Sequence, residues 1–220
     1  GTVTTNACTG NLASCDTVSV VLPTHHNFVA GTSNIKVFTN SPNGASDVAP
    51  ANDTVEVTLC PALSGTYTIG GGGNYASFNA AINDLNCAGI SGNVIFNVAN
   101  GTYNEQISMG PIQGTSASKT IKFQPASGLA SSVIVTNAPG ANNWVFRLFG
   151  ADYITLDKLT INNTNLGGNQ DVVVVGGNSD NCSITNCIIN ISGPNGTGIM
   201  QNFSTDYNLL IKGNTINNGY

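Results

Sequence analysis

The chain has 220 residues, of which only 8% are charged, and its net charge is −5. One arginine, Arg147, and five lysines leave no basic stripe for a phosphate backbone, which excludes a nucleic-acid partner. No run of about 18 apolar residues occurs, so no helical membrane span is expected. Hydrophobic content of 40% is ample for a core, so the low charge does not signal disorder. The 32 asparagines and 26 glycines suit repeated turns and uncharged, hydrogen-bonding strand faces.

The first sixty residues alternate in the manner of half-exposed antiparallel strands. Three such stretches are Thr17–Leu22, Asn34–Thr39 and Thr54–Leu59, separated by turn-rich segments. Three or four strands fall short of the roughly seven of a complete sandwich. Asp47, Asn52 and Asp53 offer oxygens to Ca2+, but three are too few for an ion that takes about six to eight. Asx turns are the preferred reading of these residues, and no cofactor is expected. His25 and His26 have no Ser or Cys motif around them and read as a surface loop. Gly31–Phe38, Pro42–Asp47 and Asn52–Thr54 together resemble the C-terminal half of the CARDB-type immunoglobulin-like modules of bacterial surface proteins.

After Cys60-Pro61, Leu63–Ile69 reads as a strand and Gly70–Gly73 as a flexible turn. The glycine run lacks the Lys and Ser/Thr of a phosphate-binding loop. Ser77 stands where an N-cap belongs, and Phe78, Ala81, Ile82 and Leu85 repeat at helical spacing, with Gly89 as the stop. A short amphipathic helix here would cover the open end of whatever strand stack follows. Strands are expected at Asn93–Val98, Glu105–Met109, Thr120–Gln124, Ser132–Thr136, Trp144–Phe149 and Asp171–Val175.

From Asp152 onward the sequence repeats itself. Asp152–Asn162, Asp180–Asn190 and Tyr207–Asn217 are offset by 28 and then 27 residues, a solenoid period. The columns are Ile154/Cys182/Leu209, Leu156/Ile184/Ile211, Leu159/Cys187/Asn214 and Ile161/Ile189/Ile216. Apolar residues fall two apart, then three, then two, which reads as strand, turn, strand. Lys158, Asn186 and Gly213 share the turn column, a place for left-handed backbone. One coil cannot bury its inner face alone, but coils stacked about 4.8 Å apart can. The expected fold is all-β: a parallel β-helix over 63–220 with one N-terminal capping helix, preceded by a partial Ig-like β-sandwich over 1–62.

Residues Tyr67–Phe78, Gly89–Val98 and the signature Gly101-Thr-Tyr-Asn-Glu-Gln106 resemble the opening of pectin-lyase-like right-handed β-helices. In particular they are similar to those of very large proteins exported by the type IX route of Bacteroidota. The resemblance implies right-handed coiling and export to the cell surface or beyond. It also draws attention to Asp16-Thr17-Val18 and Asp53-Thr54-Val55, which match a short O-glycosylation pattern of that group and make Thr17 and Thr54 candidates.

Many β-helices cleave polysaccharides, and cleavage by hydrolysis needs two carboxyl groups about 5 to 9.5 Å apart. Asp152 and Asp180 share a column, Asp206 lies one residue from it, and Arg147 is a nearby cation. A corner at which Asp accepts backbone N–H bonds is the plainer reading of that column. Arg147 alternates with Val145 and Phe149 and should point outward if those two face the core. Cys182 and Cys187 replace aliphatic residues in inward columns and should be buried thiols. Disulfides are expected between Cys8 and Cys15 and between Cys60 and Cys87, which suits an oxidising compartment.

The expected function is therefore a non-catalytic structural or adhesive module, with a carbohydrate-active or glycan-binding β-helix as the alternative. Both ends read as incomplete. Partners would be neighbouring domains of a longer chain or head-to-tail copies, with surface glycans as possible ligands.

Overall fold

The computed structural model describes residues 33–38, 54–137, 144–166, 170–192, 196–202 and 205–217. They belong to two compact units, 1–61 and 62–220. In the first, β1 (Ser33–Phe38) and β2 (Thr54–Leu59) pair antiparallel, with Ser33 opposite Leu59 and Phe38 opposite Thr54. The register puts Val37 across from Val55 and Ile35 across from Val57, so one face of the ladder is apolar. Among the described residues this ladder is what the first unit shows. The strand expected at 17–22 lies outside the described residues, as do Cys8, Cys15, Thr17, His25, His26, Asp47, Asn52 and Asp53.

The second unit is a parallel β-helix. It opens with β3 (Leu63–Ile69) and α1 (Phe78–Ala88). The first coil is β4 (Ile90–Val98), β5 (Gly101–Asn104) and β6 (Ile107–Met109). The second is β7 (Ile121–Pro125), β8 (Val133–Thr136) and β9 (Phe146–Phe149). Then come β10 (Ile154–Asp157), β11 (Thr160–Asn163) and β12 (Asp171–Gly176). The fourth coil is β13 (Ser183–Thr185), β14 (Ile188–Ile191) and β15 (Thr197–Asn202), and β16 (Leu210–Lys212) and β17 (Thr215–Asn217) follow. Three sheets result, in the orders β3-β4-β7-β10-β13-β16, β5-β8-β11-β14-β17 and β6-β9-β12-β15.

The columns read from the repeat are the register of the first two sheets. Leu156 pairs with Ile184 and Ile184 with Ile211, while Ile161 pairs with Ile189 and Ile189 with Ile216. The stacks extend backwards through Phe96 and Phe123, and through Tyr103 and Val135. Each full coil adds a third strand to the two read from the repeat, and β6, β9 and β12 fall where strands were expected at 105–109, 144–149 and 171–175. The strands β5 and β15 were not anticipated at all. They are rich in Gly, Thr and Asn, which favour turns, and are held extended by the ladders of adjacent coils. Cys182 and Cys187 are fully buried free thiols. Burial pushes both thiols up to about 11, so they behave as small hydrophobes rather than nucleophiles.

Two stacked columns of left-handed residues turn the chain between strands. The anticipated one is Lys158, Asn186 and Gly213, with φ of 55°, 54° and 68°. A second comprises Tyr153, Asn181 and Asn208, with φ of 59°, 57° and 58°. Its Tyr disguised it, because bulky residues rarely adopt this conformation.

The helix closes the end of the stack. The Ser77 hydroxyl accepts from Ala80 N (3.1 Å), and Gly89 N donates to Leu85 O (2.8 Å). Glu105, from the corner after β5, accepts from Phe78 N and Asn79 N at 3.0 and 2.9 Å, where the helix dipole favours an anion. Phe78 is fully buried and meets one ring from each sheet: Phe123, Tyr103 and Phe146, with centroids 5.7, 5.3 and 6.4 Å away. The glycine run expected as a flexible turn is closed by Gly70 N to Tyr75 O (2.8 Å) and Gly73 N to Gly70 O (2.9 Å). A methyl on Gly70 would collide with the Tyr103 hydroxyl, which donates to Ala99 O at 2.8 Å.

Truncating the plug and removing the anionic cap separate these contributions. Phe78→Ala is expected to cost about 3–5 kcal/mol and Glu105→Ala about 1–3 kcal/mol, read from urea unfolding midpoints at constant m-value.

Candidate functional site

The carboxylate column lies at the corners before β10, β13 and β16. Asp152 Oδ1 accepts from Asp180 N at 2.8 Å, and Asp180 Oδ1 accepts from Tyr207 N at 2.7 Å. Asp206 Oδ1 accepts from Ser179 N, also at 2.7 Å. Each carboxylate thus stitches one coil to its neighbour through a backbone N–H that the corner would otherwise leave without a ladder partner. The geometry is that of a structural ladder, with each acid committed to an amide.

A second acidic group is more deeply set. Asp157 is 8% exposed. It accepts from Lys122 Nζ (2.8 Å), Thr185 Oγ1 (2.9 Å) and Asn186 Nδ2 (3.0 Å), joining three coils. Burial alone would raise its pKa, but the hydrogen bonds from Lys122, Asn186 and Thr185 outweigh it and hold the carboxyl below its ordinary value.

The third sheet carries a different surface. On β9, Phe146 and Leu148 are buried, Arg147 is half-buried and Phe149 is exposed. Arg147 does point outward, but not for the expected reason: Phe149 shares its face instead of the core. Residues two apart on a strand share a face, so Phe149 could not oppose Arg147 within β9; Val145 is buried only because it lies in the corner before the strand. The Arg147 guanidinium carbon lies 4.6 Å from the Trp144 ring centroid and 5.5 Å from that of Phe149. Its Nε donates to Ser108 Oγ at 3.1 Å, and Gln106 Nε2 donates to Trp144 O at 2.8 Å. Trp144 and Ser108 were not singled out in the sequence, and Phe149 was considered only as a residue that would face the core. Only the outward parity of Ser108 and Arg147 on adjacent strands could have hinted at them.

The other candidates are dispersed. Thr54 opens β2 and is exposed. Cys60 and Cys87 are each disulfide-bonded. Among the described residues no group of three or more His, Cys, Asp or Glu side chains converges as for a metal ion, and no helix is long and apolar enough to cross a membrane.

No protein-family model and no curated protein sequence matches the chain. Among solved structures, the chain is similar to the pectin methylesterase of Aspergillus niger in two glycosylation states. For the deglycosylated form the TM-score is 0.47 at 15% identity, covering 72% of this chain and 59% of the enzyme. For the penultimately deglycosylated form, with an N-acetylglucosamine stub, it is 0.47 at 16% identity, covering 72% and 58%. The chain thus spans less than two thirds of the enzyme's length.

The ladder reading makes two checks. Asp152→Ala and Asp180→Ala should each cost about 1–3 kcal/mol by leaving an amide without an acceptor. The Asn variants, which keep the side-chain oxygen, should lose less in the same urea titrations. Because the folded pKa of Asp157 is depressed, its stabilisation is complete above the ordinary carboxylate range and is lost as pH falls through the folded value. The stability gap between the parent and Asp157→Asn should therefore be constant near neutrality and close below about pH 4.

Proposed function

We propose that this chain is a non-catalytic structural and adhesive module of a large secreted bacterial surface or extracellular filament protein. The observation that carries the reading is the state of its stacked carboxylates. Glycoside cleavage needs one carboxyl group holding a proton for the leaving group and a second free to attack or to activate water. Asp152, Asp180 and Asp206 are instead each occupied by a backbone amide of the adjoining coil. Disulfide-bonded Cys60 and Cys87 fit an oxidising, extracellular setting. The signature Gly101–Gln106 supports membership among type IX-exported β-helices, and its acid serves here as the helix cap. Residues 1–62 are read as a CARDB-like module, with Thr17 and Thr54 as sites for O-linked sugar. No cofactor is assigned, and Asp47, Asn52 and Asp53 are read from the sequence as Asx-turn residues in preference to Ca2+ ligands.

Ile211 and Ile216 stand about half exposed, while their column partners Ile184 and Ile189 are fully buried. That contrast supports cover by an adjoining segment or by a copy stacked head to tail. The competing reading, a carbohydrate-active β-helix, is favoured by the outward Arg147.

Incubation with uronate-containing and neutral polysaccharides should yield neither new reducing ends nor unsaturated products. Turnover abolished by Asp152→Asn or Asp180→Asn would overturn the proposal. In sedimentation velocity, Ile216→Asp is expected to reduce self-association of the recombinant chain, and an unchanged profile would count against head-to-tail stacking.

A further inference from the structure

Asp171 opens β12 on the core side of the sheet. Residues two apart on a strand share a face, so Asp171 lies on the side of Val173 and Val175, which pair with the buried Phe146 and Leu148. The residue is only 5% exposed. The hydroxyl of Thr197, its partner on β15, donates to the carboxyl group, while Oδ1 has no hydrogen-bond partner. The buried amide beside it serves other atoms. Asn163 Nδ2 donates to the Asp171 backbone O at 2.9 Å, and Asn163 Oδ1 accepts from Asn165 N at 3.0 Å.

No cation faces this acid among the described residues. The ion pair there joins Lys122 to Asp157. Of the strands packed against β12, β11, β14 and β15 contain no titratable residue, and β9 contains Arg147 alone. Arg147 pairs with Val174 and so stands on the opposite face of the sheet from Asp171. In sequence, the connections 137–145, 164–170 and 192–196 contain no titratable residue either. A carboxylate taken out of water with one donor and no counter-charge is disfavoured against its neutral form. Burial accordingly raises the Asp171 carboxyl above its ordinary value, against the smaller opposing effect of the Thr197 hydrogen bond.

We propose that Asp171 is a proton-operated lock between the third and fourth coils. With the carboxyl neutral, β15 closes on β12 at Thr197, whose backbone N also donates to Gln170 O at 2.9 Å. Ionisation leaves an uncompensated charge at that joint and loosens the fourth coil. The pH dependence is opposite to that of Asp157. Because the folded value of Asp171 lies above the unfolded one, its stabilisation is complete below the ordinary carboxylate range and is lost as pH rises through the folded value. The joint therefore tightens on acidification. The lock is independent of whether the chain is adhesive or catalytic.

Carbon-detected NMR of the full chain, with the Asp171 carboxyl assigned through its own backbone, follows the titration directly. Its midpoint should lie above the ordinary carboxylate range of about 4. Thr197→Val, which removes the donor that favours the ion, should raise that midpoint further. Between about pH 5 and about pH 8, the urea midpoint of Asp171→Asn should rise relative to that of the parent. Amide protection in β15, corrected for intrinsic exchange, should fall severalfold over the same range in the parent but not in Asp171→Asn, while protection in β4 changes alike in both. Should Asp171→Asn fail to fold, the two NMR midpoints decide the matter. A parent midpoint at or below the ordinary range, a Thr197→Val midpoint that does not rise, or the same pH dependence of β15 protection in parent and Asp171→Asn would each overturn the lock.

Discussion

Every coil of the β-helix depends on the next for half of what it needs. Its strands are three to six residues long from the second coil onward, too short to stand as a hairpin or sheet of their own. Its inward residues become a core only when another coil lies above or below. The interior is therefore a set of columns: Phe96 stacked on Phe123 at 4.8 Å, then Leu156 and Ile184. The stack must be closed somewhere, and Phe78 does so by reaching rings from all three sheets. Ser77 and Glu105 satisfy the helix amides that would otherwise lie unpaired over an apolar end.

The same demand for contact between neighbours explains the scarcity of charge. Outward positions in one coil face identical positions in the next at strand spacing, where a repeated Lys or Glu would meet its own charge. Asparagine avoids this, since its side chain both donates and accepts. Asn217 donates to Asn190 and Asn190 to Asn162, while Asn208 donates to Asn181. Where acids are used in register they bind amides instead of cations, and the buried Asp157 is surrounded by three donors.

Much of this was legible in the sequence, for reasons particular to certain residues. The last coils announced themselves because Ile and Leu fall at matching positions with an Asn or Gly in the turn column. The earlier coils did not, since Phe96, Phe123 and Tyr103 fill the same columns with different residue types and the connecting segments differ in length. Of the third sheet, β6, β9 and β12 were expected and only its last strand was hidden, for a different reason. The strand Thr197–Asn202 has the local preferences of a turn, and it is extended because β12 presents it with a ready ladder, a tertiary effect that overrides propensity. The role of Glu105 needed the helix and a distant corner brought together. The Arg147 face needed the knowledge that β9 begins at Phe146, so that Phe146 and Leu148 point inward and Arg147 and Phe149 outward.

A structure built by nearest-neighbour stacking has a direction. Its stability is close to a sum of coil and interface terms along one axis, so opening begins where an interface is weakest. At one end the helix seals the stack with a buried aromatic plug and an anionic cap. At β16 and β17 the apolar columns stand half exposed. Amide protection should accordingly form a gradient along the axis, greatest in β4 and β7 and least in β16 and β17. The 220 residues taken alone would then peel coil by coil from that side when pulled or heated, and cover of β16 and β17 by an adjoining segment or copy would remove that bias.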